Sequence, residues 1–313
     1  MRSDKRSVSL VGLLQAAAVL TVLFSILTGI NIPDYRIEIF SHFRLQYFVV
    51  SLLLFAVFLF LRSYRYAGAL AVVAIFNATL VLPWYFSDTK STDGAPLKLI
   101  HANVLSTNTE YQRLIDVVAI EQPDVVFLQE VTAEWVAGTQ GLLANYPYTY
   151  AEPQQGNFGI AAYSRIPFDS IQHFDSPPFS HPTIVATITI ASRSVTLIST
   201  HPTIPVNSYL YQARNTQIDS IANLVEQAKG DVLLLGDFNA TVWDPHFRRL
   251  EYVTGLRNVR RGFGILPSWP TFMPFAMIAI DHALVSPNIG VIDVRTGKNI
   301  GSDHLPLVVT LSL

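Results

Sequence analysis

The stretch "DVLLLGDFNAT" (231–241) sets hydrocarbon and reactive groups end to end. Residues 232–235 show no polar alternation, the pattern of a short strand buried on both faces in an α/β sheet. Gly236 frees the backbone where the strand leaves the sheet. If Asp237 and Asn239 stay roughly extended, the period of two points both side chains the same way, and ligands gather at such strand ends. The same residues also fit a plain Asx turn closing the strand. The rest of the chain has to separate these readings.

Working outward, strand-like runs recur and end in groups that bind cations or move protons. "LKLIHANVL" (97–105) holds Asn103 and is followed by a helix near 110–121. "DVVFLQE" (124–130) ends in Glu130. Strands near 158–163, 183–190 and 194–200 come next, the last running into His201. A helix over about 207–228 leads to the opening strand. "AIDHALVS" (279–286) brings Asp281, "VIDVRTG" (291–297) reads as a strand, and "GSDHLPLVVTLSL" (301–313) brings Asp303 and His304. The donors are oxygen-rich, with no thiol and no paired helical histidines, which favours a hard ion over structural zinc.

The front of the chain is different. Runs 8–30, 45–61 and 66–87 carry no charge, and each is near the roughly 20 residues that cross a bilayer as a helix. The first is too long for the core of a cleavable signal, and two more follow it. The expected organisation is three transmembrane helices within 1–87, a linker at 88–96, and one domain over 97–313. Arg2, Lys5, Arg6, Arg62 and Arg65 outweigh Arg36 and Arg44. That bias orients the amino terminus to the cytoplasm and the domain outside the plasma or inner membrane. With Asn77 an interior amide and no buried charge expected, the spans read as anchors rather than an ion path.

Over 91–313 there are 13 Lys and Arg against 19 Asp and Glu, a net charge of −6. A domain that grips a phosphate backbone is usually basic. The exception is a cluster at Arg248, Arg249, Arg257, Arg260 and Arg261, which fits a nucleic acid or an anionic headgroup.

The ordered set "HANVL", "FLQEV", "GNFGIAAYSRIPF", "STHP", "LLLGDFNAT", "IDHALVS" and "GSDHLPL", covering about 97–313, resembles the endonuclease/exonuclease/phosphatase superfamily, the deoxyribonuclease I-like group. The resemblance implies an α/β fold of two β-sheets packed face to face and flanked by helices, a four-layer sandwich. It also implies Mg²⁺-dependent phosphoester hydrolysis, with Mn²⁺ as an alternative ion. Asp237 then serves as general base or positions the attacking water, and Asn239 bonds that water or a non-bridging oxygen. Glu130 is the main metal carboxylate, with Asn103 and Asp303 beside it. His304 donates to the phosphoryl oxygen or moves the proton, Asp281 holds its ring in one tautomer, and His201 faces the phosphate. Tyr163, Ser164 and Arg165 match a family strand and turn and read as scaffold. His101 lies inside a strand and reads as core, and the role of His282 stays open. Arg214 and Gln217, one turn apart on the helix after His201, buttress the site or line a solvated face.

The superfamily name leaves the ester open. A linker of about ten residues reaches at most ~35 Å, and a globule of this size has a radius of gyration of roughly 17 Å. The site therefore stays near any bilayer the anchor occupies. "GFGILPSWPTFMPFAMIAIDH" (262–282) runs into Asp281, and its Trp269, Phe272, Met273, Phe275, Met277 and Ile278 form either core or an apolar lip. Candidate substrate contacts are Arg214, Trp269 and Arg261. The expected partners are membrane lipids and a phosphodiester, as lipid headgroup or nucleic acid. A phosphomonoester and a catalytically inactive binding module are the remaining alternatives.

Overall fold

The computed structural model describes residues 9–29, 34–86 and 94–313. Arg2, Lys5 and Arg6, the outer ends of the first and third apolar runs, and linker positions 88–93 lie outside the described residues. The chain divides into two units, Met1–Pro83 and Trp84–Leu313.

In the first unit Ser9 caps α1 (Leu10–Leu27) by accepting the Gly12 N–H at 3.1 Å, and Asp34 caps α2 (Tyr35–Ser41) through the Arg36 N–H at 2.9 Å. After a 60° bend comes α3 (Arg44–Phe60), then α4 (Tyr64–Val81), which runs through one 3₁₀ turn to Trp84. By length and composition, α1 and the 64–84 segment could each cross a membrane. The middle run reaches that standard only if the bent pair α2–α3 counts as one span. The expectation that this region buries no charge is corrected. Arg44 is 3% exposed and donates to the Ser25 carbonyl (3.0 Å) and to Asn77 Oδ1 (3.4 Å), while Asn77 donates to Ser25 Oγ (2.7 Å). The charge-free run starts at 45, so the sequence put Arg44 in a loop; in the fold it opens α3 and is turned inward.

The second unit opens with β1 (Pro96–Asn103), α5 (Tyr111–Glu121), β2 (Val125–Gln129), α6 (Ala133–Gly138), β3 (Tyr148–Glu152) and β4 (Ile160–Ser164). Next are β5 (Ser170–Ser176), β6 (His181–Ile190), β7 (Arg193–Ser199), α7 (Ser208–Gln227) and β8 (Asp231–Asp237). The chain ends with α8 (Pro245–Thr254), β9 (Arg257–Asn258), β10 (Asp281–Val285), β11 (Gly290–Thr296) and β12 (Leu307–Ser312). Two six-stranded mixed sheets result, in the orders β11-β12-β1-β2-β4-β3 and β5-β6-β7-β8-β10-β9. Each holds one parallel pair, β1–β2 or β7–β8, joined by a helical crossover. The expected fold of two sheets with flanking helices is the one found.

The strands were legible because they are buried on both faces. Leu97, Leu99, Val125, Phe127, Leu197, Leu233, Leu235 and Ala283 face the shared core between the sheets, whereas Ile100, Ala102, Val126 and Leu128 pack with Leu114, Val117 and Trp135 of α5 and α6. The period of two continues those inner rows into His101 and Asn103, Gln129, Asp237 and Asp281. Hydrocarbon thus gives way to polar groups at one end of both sheets. There Gln129, fully buried, donates Nε2–H to the Thr200 carbonyl and accepts the Asp237 N–H at 2.9 Å, tying one sheet to the other. Gly236 makes this possible, because a Cβ there would collide with the Thr200 carbonyl.

Replacing Gln129 by Leu keeps the volume but strands a buried N–H and a buried carbonyl. The expected cost is about 2–4 kcal/mol of stability, against less than about 0.5 kcal/mol for Gln112→Leu on the exposed face of α5. Thermal unfolding of both variants in detergent measures the difference; equal losses would dismiss the clamp.

Candidate active site

A cleft of about 140 Å³ opens where the inner rows turn polar. It is lined by Leu105, Glu130, Asn157, Phe158, His201, Ile204, Asp237, Asn239, Trp269, Ile280, Asp303 and His304. Three of these, Leu105, Glu130 and Asn239, sit at left-handed φ of 59°, 62° and 49°. Side chains of this kind rarely adopt that conformation, and such strain collects at functional sites. Each turn follows a strand directly and swings a group toward the cleft that a continued strand would have sent elsewhere. Asn239 is therefore not extended: its N–H donates to Asp237 Oδ1 at 2.9 Å, an Asx turn. The two readings of "GDFN" describe one structure, since the turn is what brings both groups to the cleft.

Asp237 Oδ2 is the focus. Asn103 Nδ2 lies 3.3 Å from it, His201 Nε2 3.5 Å and His304 Nε2 3.6 Å. Asn103 Nδ2 also donates to Glu130 Oε1 (3.0 Å), and the Ser106 N–H donates to Glu130 Oε2 (3.1 Å). The Asn103 oxygen is engaged by the Leu105 N–H at 3.1 Å. In this arrangement the Asn103 amide nitrogen secures the carboxylates, while its oxygen accepts one N–H and keeps a second lone pair.

Behind the cleft, Asp281 is fully buried and shared by two imidazoles. His304 Nδ1–H donates to one oxygen and His101 Nε2–H to the other, both at 2.9 Å. Burial alone would raise the Asp281 carboxyl, but His304 and His101 hold it well below the usual carboxylate range. Burial would likewise lower His304, yet the Asp281 and Asp237 carboxylates outweigh it and push the imidazole up to about 10. His201 is raised too, burial being overcome by Asp237. Both shifts favour the imidazolium form, in which each ring turns an N–H toward Asp237. His101, read from the sequence as core, is core that bonds Asp281; its two-residue spacing from Asn103 on the inner face of β1 was the available signal.

Other residues hold the frame. Arg214 is fully buried, paired with Asp244 at 3.0 Å and donating to the Asn239 carbonyl at 3.2 Å, so it braces the Asn239 turn and has no surface with which to touch substrate. Gln217 accepts the Thr203 N–H at 2.8 Å and donates to His181 Nδ1 at 3.1 Å; His181 stacks on Phe158 of the cleft wall. His282 lies 2.9 Å from the Ala240 carbonyl, and burial, reinforced by Arg260, lowers it to about 3. The arginine cluster does not form one basic surface. Arg260 is buried and donates to the Ile265, Leu266 and Asp281 carbonyls, Arg257 donates to the Pro287 and Ile289 carbonyls, and Arg261 lies over the Trp84 ring at 4.9 Å. Trp269 is in the cleft wall and donates Nε1–H to Asp303 Oδ2 at 2.9 Å.

The donor set fits a hard divalent cation. Glu130, Asp237 and Asp303 line one small cleft whose lining contains no Lys or Arg, leaving carboxylate charge that oxygen-seeking ions neutralise. Asp237, Asp281 and His304 also place ligand atoms within 4.8 Å of one another. There, however, both Asp281 oxygens already accept histidine N–H groups, bonds that a cation on Asp281 would have to displace, whereas Glu130 and Asp303 are the further carboxylates in the cleft lining.

Residues 100–304 match the Endonuclease/Exonuclease/phosphatase family. No curated protein matches the chain. Among solved structures, D. rerio TDP2 complexed with single-strand DNA product is similar with a TM-score of 0.61 at 18% identity, over 70% of this chain and 100% of that one. The human Nocturnin catalytic domain with bound sulfate gives 0.56 at 18%, over 69% and 94%. An endonuclease/exonuclease/phosphatase from Beutenbergia cavernae gives 0.58 at 19%, over 70% and 72%. At these identities the likeness concerns the fold.

Calorimetry with Mn²⁺ on the detergent-purified chain tests the cation assignment. Glu130→Gln should weaken binding at least about tenfold, while His101→Leu, behind Asp281, should leave it unchanged. Equal affinities for Glu130→Gln and the parent chain would remove Glu130 from the ligand set.

Proposed function

The chain belongs to the Endonuclease/Exonuclease/phosphatase family, and from that premise we propose that it is a membrane-anchored, Mg²⁺-dependent phosphodiesterase that hydrolyses a lipid or lipid-linked phosphodiester. The observation that carries the hydrolase reading is the convergence of His201, His304 and Asn103 on Asp237 Oδ2 in a cleft that Glu130 and Asp303 also line. Asp237 takes the proton of the attacking water. Asn239 directs an amide at that water or at a non-bridging oxygen without adding charge. His304, its Nδ1 held by Asp281, presents Nε2 to the phosphoryl or leaving oxygen, and His201 offers a second donor. Glu130 and Asp303, with Asn103 securing Glu130, would hold Mg²⁺ (or Mn²⁺), which supplies charge neutralisation for the phosphorane-like transition state.

Anchoring is supported by the reversed polarity of the first unit. α1 exposes Leu13, Val19, Leu23 and Ile26 and buries Ala18, Thr21 and Ser25. Small and polar residues inside with large apolar ones outside is the pattern of helices packed in lipid. The charge bias assigns the amino terminus to the cytoplasm and the catalytic domain to the outside. A second reading, a tethered nuclease, draws on the fold likeness to D. rerio TDP2, whose structure holds a single-strand DNA product. The cleft lining without Lys or Arg and the net charge of −6 over 91–313 weigh against it.

Incubating the detergent-purified chain with Mg²⁺, a phospholipid extract and short DNA and RNA strands, and following products by mass spectrometry, separates the readings. Cleaved lipid with intact oligonucleotides is expected, and Asp237→Ala should lower the rate by at least about 10³-fold. Shortened oligonucleotides with intact lipid would make it a nuclease. No product in either pool would leave a binding module.

A further inference from the structure

From Gly262 to Ile280 the chain has no charged residue, and the structure separates that segment into a root, a stem and a tip. The root is tied to Trp84: the Gly262 and Gly264 N–H groups both donate to its carbonyl at 2.9 Å, and the Tyr85 ring lies against Gly264 so closely that a Cβ has no room. The stem is a two-strand bridge in which Trp269 and Ile278 exchange backbone hydrogen bonds. The tip, residues 272–275 ("FMPF"), is exposed, with Phe272 at 72% and Phe275 at 81%. The core reading of this segment therefore holds for Ile278, Ala279 and Ile280, which are buried, and fails for the tip.

Burying one such ring elsewhere in a protein is worth about 1.5–3 kcal/mol, so an ordered tongue that leaves two of them in water is shaped for another apolar phase. Three facts bear on which one. Trp84 is three residues beyond α4, the last helix long enough to cross a membrane, and three residues span at most ~10 Å. Phe86, next in the chain, is 77% exposed, and aromatic side chains collect at the membrane–water interface. The uncharged tongue also has nothing with which to grip a phosphate backbone.

We propose that residues 272–275 insert into the lipid bilayer interface and set the catalytic cleft against headgroup phosphodiesters; this rests on the membrane-anchored reading above. The tongue is joined to the chemistry at its stem. The Thr271 N–H donates to the Asp303 carbonyl, Thr271 Oγ1–H to the Ser302 carbonyl, the Leu305 N–H to the Ser268 carbonyl, and Trp269 Nε1–H to the Asp303 carboxylate. Insertion of the tip therefore fixes the height of the 302–305 segment, with Asp303 and His304, above the bilayer.

The chain has no cysteine, so a single introduced thiol carries a unique spin label. Full-length Phe272→Cys and Phe275→Cys proteins, with Glu226→Cys on α7 as control, are reconstituted into vesicles of phosphatidylethanolamine and phosphatidylglycerol. Accessibility to oxygen and to a water-soluble nickel complex is then read by EPR. Labels at 272 and 275 should favour oxygen, as in lipid, with 226 in water; labels at 272 and 275 as wet as at 226 overturn the proposal. In turnover, a Phe272→Asp/Phe275→Asp protein should hydrolyse soluble bis(4-nitrophenyl) phosphate at the parent rate but bilayer phospholipid at least about tenfold more slowly. Equal loss on both substrates, or loss confined to oligonucleotide cleavage, overturns it as well. The label depth needs no turnover, so a parent chain that cleaves nothing would defeat the proposed hydrolase without touching this result.

Discussion

Two sheets packed through hydrocarbon have no directional contact to fix their offset, and Gln129 supplies one. Its amide spends both functions across the gap, donating to the Thr200 carbonyl and accepting from the Asp237 N–H. Dispersion between Phe127, Leu197, Leu235 and their neighbours sets the spacing, but it would tolerate a slide of an ångström that the hydrogen bonds do not. Because the Asp237 backbone is one of the tied groups, the clamp places a catalytic candidate directly. Asp281 pairs with Asp237 in the register of β10 and β8, so the hydrogen bond to His304 inherits the same placement.

That geometry gathers like charges, which is costly in a buried site. The structure offsets the cost in stages. Asp281 is neutralised from two sides by histidine N–H groups. Asp237 faces His304 and His201, both shifted upward by their carboxylate neighbours. Glu130 receives only an amide and one backbone N–H, and Asp303 a Trp269 N–H on its side chain. The carboxylates therefore grade from saturated at the back of the cleft to under-compensated at the mouth, the side on which a cation has most to gain.

The same gradient explains what could be read from sequence. Central strands such as "VVFLQ" are apolar on both faces and announce themselves, and their polar last residues stand out for the same reason. Edge strands do not: β5, "SIQHFDS", is largely exposed and has no apolar run to find, and β3 is similar. The left-handed turns at Leu105 and Glu130 involve residues that give no local hint of positive φ. Contacts between sheets, such as His101 with Asp281, 180 positions apart, have no local signature either. Arginines misled in the opposite direction. Charge in a sequence suggests surface, yet Arg44, Arg214 and Arg260 are all buried, each bonded to carbonyls or a carboxylate that only the folded chain brings near.

On the proposed reading, anchoring and cleft chemistry constrain the substrate together. A nuclease gains most of its affinity from counterion release on a basic surface, and this domain, acidic overall with Arg257 and Arg260 of its one cluster turned to structural carbonyls, has less of that to offer. For an ester held in the bilayer, affinity need not come from the cleft. A short tether keeps enzyme and substrate in one thin layer, and effective concentration replaces direct contacts. The cleft can then stay small and uncommitted to any polymer, with its polar groups reserved for the phosphoryl centre. An apolar tongue bonded to the Asp303 segment suits that division of labour, since what such a site lacks is orientation to the surface, and a rigid tip entering the interface provides it.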